Sequence, residues 1–305
     1  MRLDYLLKKL NDGWDGLNNL SVWTKVLIVV ILVLIVVKKR NKCPRTYEGF
    51  GNKDEFTLKQ GGEVYDGFYA NIYDSLVYTH KKNEFEIGTL QKTANAGEKS
   101  IILDIGSGTG HHVEQMREMG IVSATGVDNS KAMVEKSKEL YPKNKYVYGD
   151  ALQGSLFRER QFTHITCFYF TIYYFKDKHT FFKNCFHWLM PGGRLIVHLV
   201  DKTMFDPILP PANPLLMLTP QRYADKRITQ STITFDEFKY NANFEVVNDT
   251  AQFVEKFTTR DSKKVFRKNK HEMFMEDIGA IVSLAEKSGF ILVEKMDMIK
   301  AEYEY

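Results

Sequence analysis

Cysteine is scarce in this chain: Cys43, Cys167 and Cys185 are the three in 305 residues. Their number is odd and their spacing fits no metal site, which excludes a disulfide framework and a cysteine zinc site and suits a reducing compartment. An excess of one charge is missing as well. Lysine and arginine total 42 against 38 aspartate and glutamate, a net charge of +4, too mild for a dedicated nucleic-acid binder. The basic cluster Lys263-Lys-Val-Phe-Arg-Lys-Asn-Lys270 reads as the solvated face of a hairpin, with a phosphate-binding patch as the alternative. The G-x-G-x-x-G spacing of a dinucleotide fold is lacking, which argues against a dehydrogenase. What is present is the composition of a folded protein, 44% hydrophobic and 26% charged, with length for one large domain and an appendage.

The appendage is the amino end. Val26–Val37 is a run of twelve uninterrupted apolar residues, about 18 Å as a helix. Taken back through Trp23 and Val22 to Leu20, it reaches about 27 Å, near the roughly 30 Å of a bilayer core. Trp23 then serves as an interfacial anchor and Lys25 snorkels to the headgroups. The reading is a single transmembrane helix over 20–37. Lys38-Lys-Arg40, Lys42 and Arg45 follow it, which by the positive-inside rule puts the rest of the chain in the cytosol. More than twenty residues precede the run and no small-residue site follows, so a cleaved signal peptide is disfavoured. Residues 1–19, with Leu3, Leu6, Leu7 and Leu10 at helical spacing, read as an amphipathic segment on the membrane surface. Cys43 reads as an idle thiol or a palmitoylation site.

Further along, Ile101-Ile-Leu-Asp-Ile-Gly-Ser-Gly-Thr-Gly110 places four apolar residues around Asp104 and then three alternating glycines. This predicts a buried parallel strand ending in a turn whose backbone can approach a ligand closely. A second strand ends at Gly126-Val-Asp-Asn129, where Asp128 can accept from a ribose diol. A third runs into Gly149-Asp-Ala-Leu152, where Asp150 can hold an exocyclic amine. A fourth, Phe162–Phe168, leads into an aromatic loop, and Pro191-Gly-Gly turns into a fifth, ending near Val200. Open α/β sheets bind ligands at such carboxyl ends.

This ordered set resembles the class I S-adenosylmethionine (SAM)-dependent methyltransferases over roughly residues 65–202 and 276–300. The resemblance implies an α/β, Rossmann-like sheet that binds SAM, with no metal. Asp104, Gly106, Ser107, Gly108 and Gly110 correspond to the family's first motif, Asp128 with Asn129 to its ribose-binding acid, and Asp150 with Ala151 to its adenine side. His112, Met133 and Cys167 are further cofactor-binding candidates. The amino-terminal helix of related enzymes lids the cofactor and donates tyrosines. Here Tyr65, Phe68, Tyr69, Ile72 and Tyr73 recur at helical spacing, which makes Tyr69 a cofactor candidate and Tyr73 a catalytic one.

The remaining catalytic candidates are Tyr173 and Tyr174 in the aromatic loop and His271 beyond it; His198 can point either way. Four prolines within residues 205–215 exclude a regular element there. Alternation then predicts four antiparallel strands, 227–235, 238–246, 251–257 and 265–274, before a helix over 276–288 and a strand over 290–297. The division is thus residues 1–45 as amphipathic segment and anchor, 46–202 with 276–305 as the SAM-binding domain, and 203–275 as an antiparallel β insert. The insert is similar to the small β-domain of methyltransferases acting on amino sugars, where it caps the substrate and often forms a homodimer interface. The chain stops at Glu302-Tyr-Glu-Tyr305, where the family completes a seventh strand. Three functions follow from the resemblance: a membrane-tethered methyltransferase of a small-molecule amine or hydroxyl, one acting on a membrane protein or lipid, and a non-catalytic SAM-binding protein.

Overall fold

The computed structural model describes residues 21–40, 56–78, 80–121, 123–202, 230–261 and 263–297. The amphipathic segment 1–19, Cys43, the proline-rich stretch 205–215 and the terminal residues 302–305 lie outside them. The chain forms two compact units, Met1–Tyr47 and Glu48–Tyr305.

In the first unit the apolar run becomes helix α1 (Val22–Arg40). Trp23, Leu27, Val29 and Val33 are exposed along it. The expected transmembrane span is corrected here, because no helix among the described residues is long and apolar enough to cross a membrane. The physical reason is length: Lys25 and Lys38-Lys-Arg40 fall inside the helix, leaving a continuous apolar core of about 18 Å.

The second unit begins with β1 (Thr57–Gln60) and the helices α2 (Gly67–Val77) and α3 (His80–Ala94). A five-stranded parallel sheet follows, formed by β2 (Ile101–Ile105), β3 (Ser123–Asp128), β4 (Lys145–Tyr148), β5 (Phe162–Cys167) and β6 (Leu189–Val197) in the order β4-β3-β2-β5-β6. Helices α4 (His111–Glu118), α5 (Lys131–Leu140) and α6 (Lys178–Trp188) connect the strands. Both faces are covered, so β2 and β5 are buried along nearly their whole length rather than on alternate residues. Ile102, Leu103, Phe162 and Ile165 are almost wholly buried, and each such side chain stabilises the fold by roughly 1.5–3 kcal/mol. The α5 start is capped by Ser130, whose hydroxyl accepts the Met133 N–H at 3.1 Å. From β2 the chain steps first to β3 and later to β5 on the other side, so a crevice opens at the carboxyl end of β2.

A second sheet, β1-β10-β9-β8-β7, contains β7 (Gln230–Thr234), β8 (Phe238–Val247), β9 (Thr250–Thr259) and β10 (Val265–Phe274) as an antiparallel meander. These strands fall where alternation predicts them. The parallel pairing of β1 with β10, Thr57 opposite Arg267, was not foreseen. Helix α7 (Ile278–Lys287) is the last regular element among the described residues. The strand expected over 290–297 is not formed: these residues pair with nothing regular, and Ile291 and Val293 are exposed. Apolar content alone does not make a strand without a partner edge.

Candidate active site

At the carboxyl end of β2 the chain needs left-handed backbone. Gly106 has φ +72°, and a Cβ there would run into Thr171. Gly110 has φ +90°, and a Cβ there would lie 2.5 Å from the Tyr146 hydroxyl. The turn is tied down by the Gly106 and Ser107 N–H groups, which donate to Val127 O at 2.8 and 3.1 Å. Asp128, at the end of β3, accepts the Gly108 N–H at 2.9 Å and the Ser130 N–H at 2.8 Å. Burial pushes its carboxyl up to about 6 in spite of these two bonds. Asp104 is buried beneath the turn. Its Oδ1 accepts from Thr166 Oγ1 at 2.7 Å, and burial raises its pKa.

Around the turn, Asp104 Oδ2 and Ser107 Oγ are buried without a hydrogen-bond partner among the described residues. Unmatched polar atoms of this kind mark a place where a ligand completes the bonding. Asp128 retains acceptor capacity beyond its two backbone bonds, since a carboxylate has about four lone-pair sites. Asp150 accepts the Leu152 N–H at 2.9 Å and shapes the turn after β4, and its neighbour Ala151 is buried. Asn129 lies exposed beside Asp128, whereas Met133 and Cys167 are buried. This set fits SAM: acids for the ribose and the charged amino end, a hydroxyl and a carboxylate oxygen that lack a partner, and a cradle that side chains would fill.

His112 opens α4 beside the turn. Its Nε2 lies 2.6 Å from Glu86 Oε2 and its Nδ1 4.0 Å from Asp104 Oδ2. His198 Nδ1 is 3.5 Å from Glu86 Oε1 and accepts the Tyr169 N–H at 3.1 Å. Burial holds His198 down at about 4 and pulls Lys82 down to about 8, with Glu86 opposing it. Lys82 and Glu86 were not foreseen, because an i, i+4 pair on a polar helix looks like a solvated one.

The tyrosine candidates converge from three segments. Tyr65, Tyr69 and Tyr73 come from α2 and its approach, Tyr174 from the turn Thr171–Tyr174, and His271 from β10. The Tyr65 ring lies 5.5 Å from Tyr69, 6.4 Å from Tyr73, 6.1 Å from Tyr174 and 5.7 Å from His271. The cluster abuts the glycine turn: a Cβ on Gly108 would meet the Tyr73 ring at 3.7 Å, and Thr171 at the start of the Tyr174 turn packs on Gly106. Behind the rings sits Glu255, wholly buried. Its Oε1 accepts from Tyr69 and Tyr240 at 2.8 Å each, and its Oε2 from Asn269 at 2.9 Å and His271 Nε2 at 2.8 Å. Burial disfavours the charged form, but these donors outweigh it and hold the carboxyl below its ordinary range. The Tyr174 hydroxyl lies 3.2 Å from His271 Nδ1, within hydrogen-bond distance. Burial raises the hydroxyls of Tyr69, Tyr73 and Tyr174, so all three stay protonated.

Tyr173 is placed apart from this cluster. Its hydroxyl accepts the Val200 N–H at 2.8 Å and faces Val200 O at 3.3 Å, fixing the chain after β6. Glu255 was missed, although the period of two puts it on one face of β9 with Ala251, Phe253 and Phe257.

Residues 103–197 match the family model of a methyltransferase domain. No curated protein matches the sequence. Among solved structures, an SAM-dependent methyltransferase from Clostridium acetobutylicum is 19% identical with a TM-score of 0.53, covering 75% of this chain and 89% of that one. The sugar N-methyltransferase KedS8 from Streptoalloteichus is 17% identical with a TM-score of 0.54, covering 80% and 91%. SAM-bound CalS10, an amino pentose methyltransferase from Micromonospora echinaspora, is 14% identical with a TM-score of 0.53, covering 73% and 88%. Such identities establish a shared fold, while the matched domain carries the glycine turn and both acids at the β2 and β3 ends. Residues 103–197 thus carry a methyltransferase domain, on a fold that the chain shares with SAM-dependent methyltransferases.

Proposed function

We propose that this chain transfers a methyl group from SAM to the nitrogen of a small-molecule amine. One observation carries the reading: the tyrosine cluster against the glycine turn is backed by a buried carboxylate, Glu255. Aromatic faces and a nearby anion favour a cation, as a protonated amine is. A neutral hydroxyl gains less from such a site. The sugar N-methylation named for KedS8 and the amino pentose named for CalS10 agree with this choice.

When bound, SAM supplies an electrophilic methyl on a sulfonium: the acceptor's lone pair forms the new N–C bond as the S–C bond breaks and its electrons return to sulfur. The chain's own residues orient the acceptor and remove water from around it. Tyr65, Tyr73 and Tyr174 are half-buried and form the rim, while Tyr69 and His271 lie deeper. Positioning supplies much of the rate for such a displacement.

The second part of the proposal is membrane attachment through α1. It is supported by apolar side chains exposed along that helix, such as Leu27 and Val29, with lysines at either end. Attachment in this form requires no crossing of the bilayer.

Labelled methyl transfer from SAM into the small-molecule, protein and lipid fractions of a cell extract tests the acceptor class. Label is expected in small amines. Label confined to protein or lipid supports the second reading of the sequence, and saturable SAM binding with no label anywhere supports the non-catalytic one.

A further inference from the structure

The proposed amine has one unmet requirement. It binds as an ammonium, which has no lone pair, so a proton must leave before the N–C bond can form. The tyrosine hydroxyls are poor acceptors by themselves, yet one of them is wired to a better one.

We infer that Glu255, His271 and Tyr174 form a proton relay that deprotonates the acceptor amine, an inference that rests on the amine reading above. Glu255 Oε2 is an acceptor, so the 2.8 Å contact puts the ring proton of His271 on Nε2. The neutral ring then has a bare Nδ1, and Tyr174 donates to it at 3.2 Å. The Tyr65 ring packs edge-on 6.1 Å from the Tyr174 ring, and the Tyr174 oxygen keeps its lone pairs for the substrate. In the transfer, the ammonium proton passes to the Tyr174 oxygen while the Tyr174 proton passes to His271 Nδ1. The nitrogen keeps the electron pair, and the imidazolium formed is stabilised by the Glu255 carboxylate. The proton returns to solvent by the same path after product leaves.

Tyr174 is the catalytic residue of this relay, and His271 and Glu255 are positioning residues acting through it. The geometry is held from both sides. Asn269, Tyr69 and Tyr240 saturate the remaining Glu255 lone pairs, which leaves the carboxylate no alternative orientation. The groups facing His271 are Glu255 from β9, Tyr65 and Tyr69 from the lid segment, and Tyr174 from its turn. Glu255 is the single anion among them.

Two measurements on the full chain in detergent micelles test the relay. The first is steady-state methyl transfer from SAM to a panel of an aminohexose, a diaminoalkane and a phenethylamine. Tyr174→Phe and His271→Asn should lower kcat by about 100-fold while leaving the amine KM within about threefold. Glu255→Gln should lower kcat by a similar factor with KM again within about threefold, because the imidazolium formed on His271 loses its anion. The second is nitrogen NMR of the histidine rings, assigned with His271→Asn. It should show His271 protonated at Nε2 and bare at Nδ1, with the Nδ1 signal moved by Tyr174→Phe. Amine methylation with an unchanged kcat in Tyr174→Phe overturns the relay and leaves the amine reading intact. Label found only in protein or lipid overturns the amine reading, and the relay with it as an amine base. A His271 ring protonated at Nδ1 overturns the relay whatever the acceptor.

Discussion

Asp128 is held as a carboxylate by two backbone N–H groups and pushed toward neutrality by burial, with a balance near pH 6. Its unfolded value is about 3.9. Between about pH 4 and 6 the folded chain therefore binds more protons than the unfolded one, and its stability contribution falls as pH rises through that window. Cofactor binding moves the other way, because only the ionised group can accept from both hydroxyls of a ribose. SAM affinity measured by titration calorimetry should therefore weaken below pH 6, by up to about tenfold per unit. Asp128→Ala should weaken it at least about tenfold and abolish that slope. A slope unchanged in the variant would assign the titration to another group, such as Asp104. Asp104 and Asp128 were readable because each ends an apolar strand at a fixed distance from the glycines. Glu86 and Glu255 were not, since burial of a glutamate is decided by what packs on it from elsewhere in the chain. Glu86 needs His112 and His198, and Glu255 needs four donors, all of them from other strands or helices.

Helix α2 reaches the site through one side chain of the second sheet. Asp66 caps α2 by accepting the Tyr69 N–H at 3.1 Å, and both its oxygens accept from Arg267 Nη1, at 2.9 and 2.8 Å. Arg267 also donates to Val64 O at 2.9 Å and to Asn269 at 2.7 Å, and its guanidinium stacks 4.7 Å from the Phe68 ring. Removing the buried partner strands a cap and a carbonyl, so Arg267→Ala should cost about 3 kcal/mol in urea unfolding. Asp66→Ala loses the cap as well as the pair, but at a half-exposed group, and should cost about 1–2 kcal/mol. Limited proteolysis of Arg267→Ala should cut first within residues 56–78. A cut pattern like that of the unaltered chain would show that α2 is held by its apolar face alone. The same contact explains what was illegible at this scale. Thr57–Gln60 has no strand periodicity and becomes β1 only by lying along β10, over two hundred residues away. Residues 290–297 show the converse: the apolar pattern is there, and no edge among the described strands takes it up.

Every residue assigned to the cofactor and the tyrosine cluster lies between 65 and 271, inside the Glu48–Tyr305 unit. The glycine turn and the insert are more than a hundred residues apart, and it is the topology of two sheets that brings Tyr73 and Tyr174 to one turn. If the Met1–Tyr47 unit only attaches the enzyme, its removal should leave the chemistry alone and change where the enzyme resides. A chain beginning at Glu48 should bind SAM with the same affinity as the full chain. At a hundredfold excess over Kd, SAM should stabilise both against unfolding by about 2.7 kcal/mol. In flotation with phosphatidylcholine–phosphatidylserine vesicles, the full chain should rise with the lipid and the shortened one should stay below. Higher salt should weaken a purely basic attraction within a Debye length of about 10 Å at 0.1 M, so retention at 1 M salt would assign the binding to the apolar side chains of α1. Equal flotation of both chains would remove α1 from the attachment. Loss of SAM binding in the shortened chain would mean that the amino-terminal unit serves the active site as well as its address.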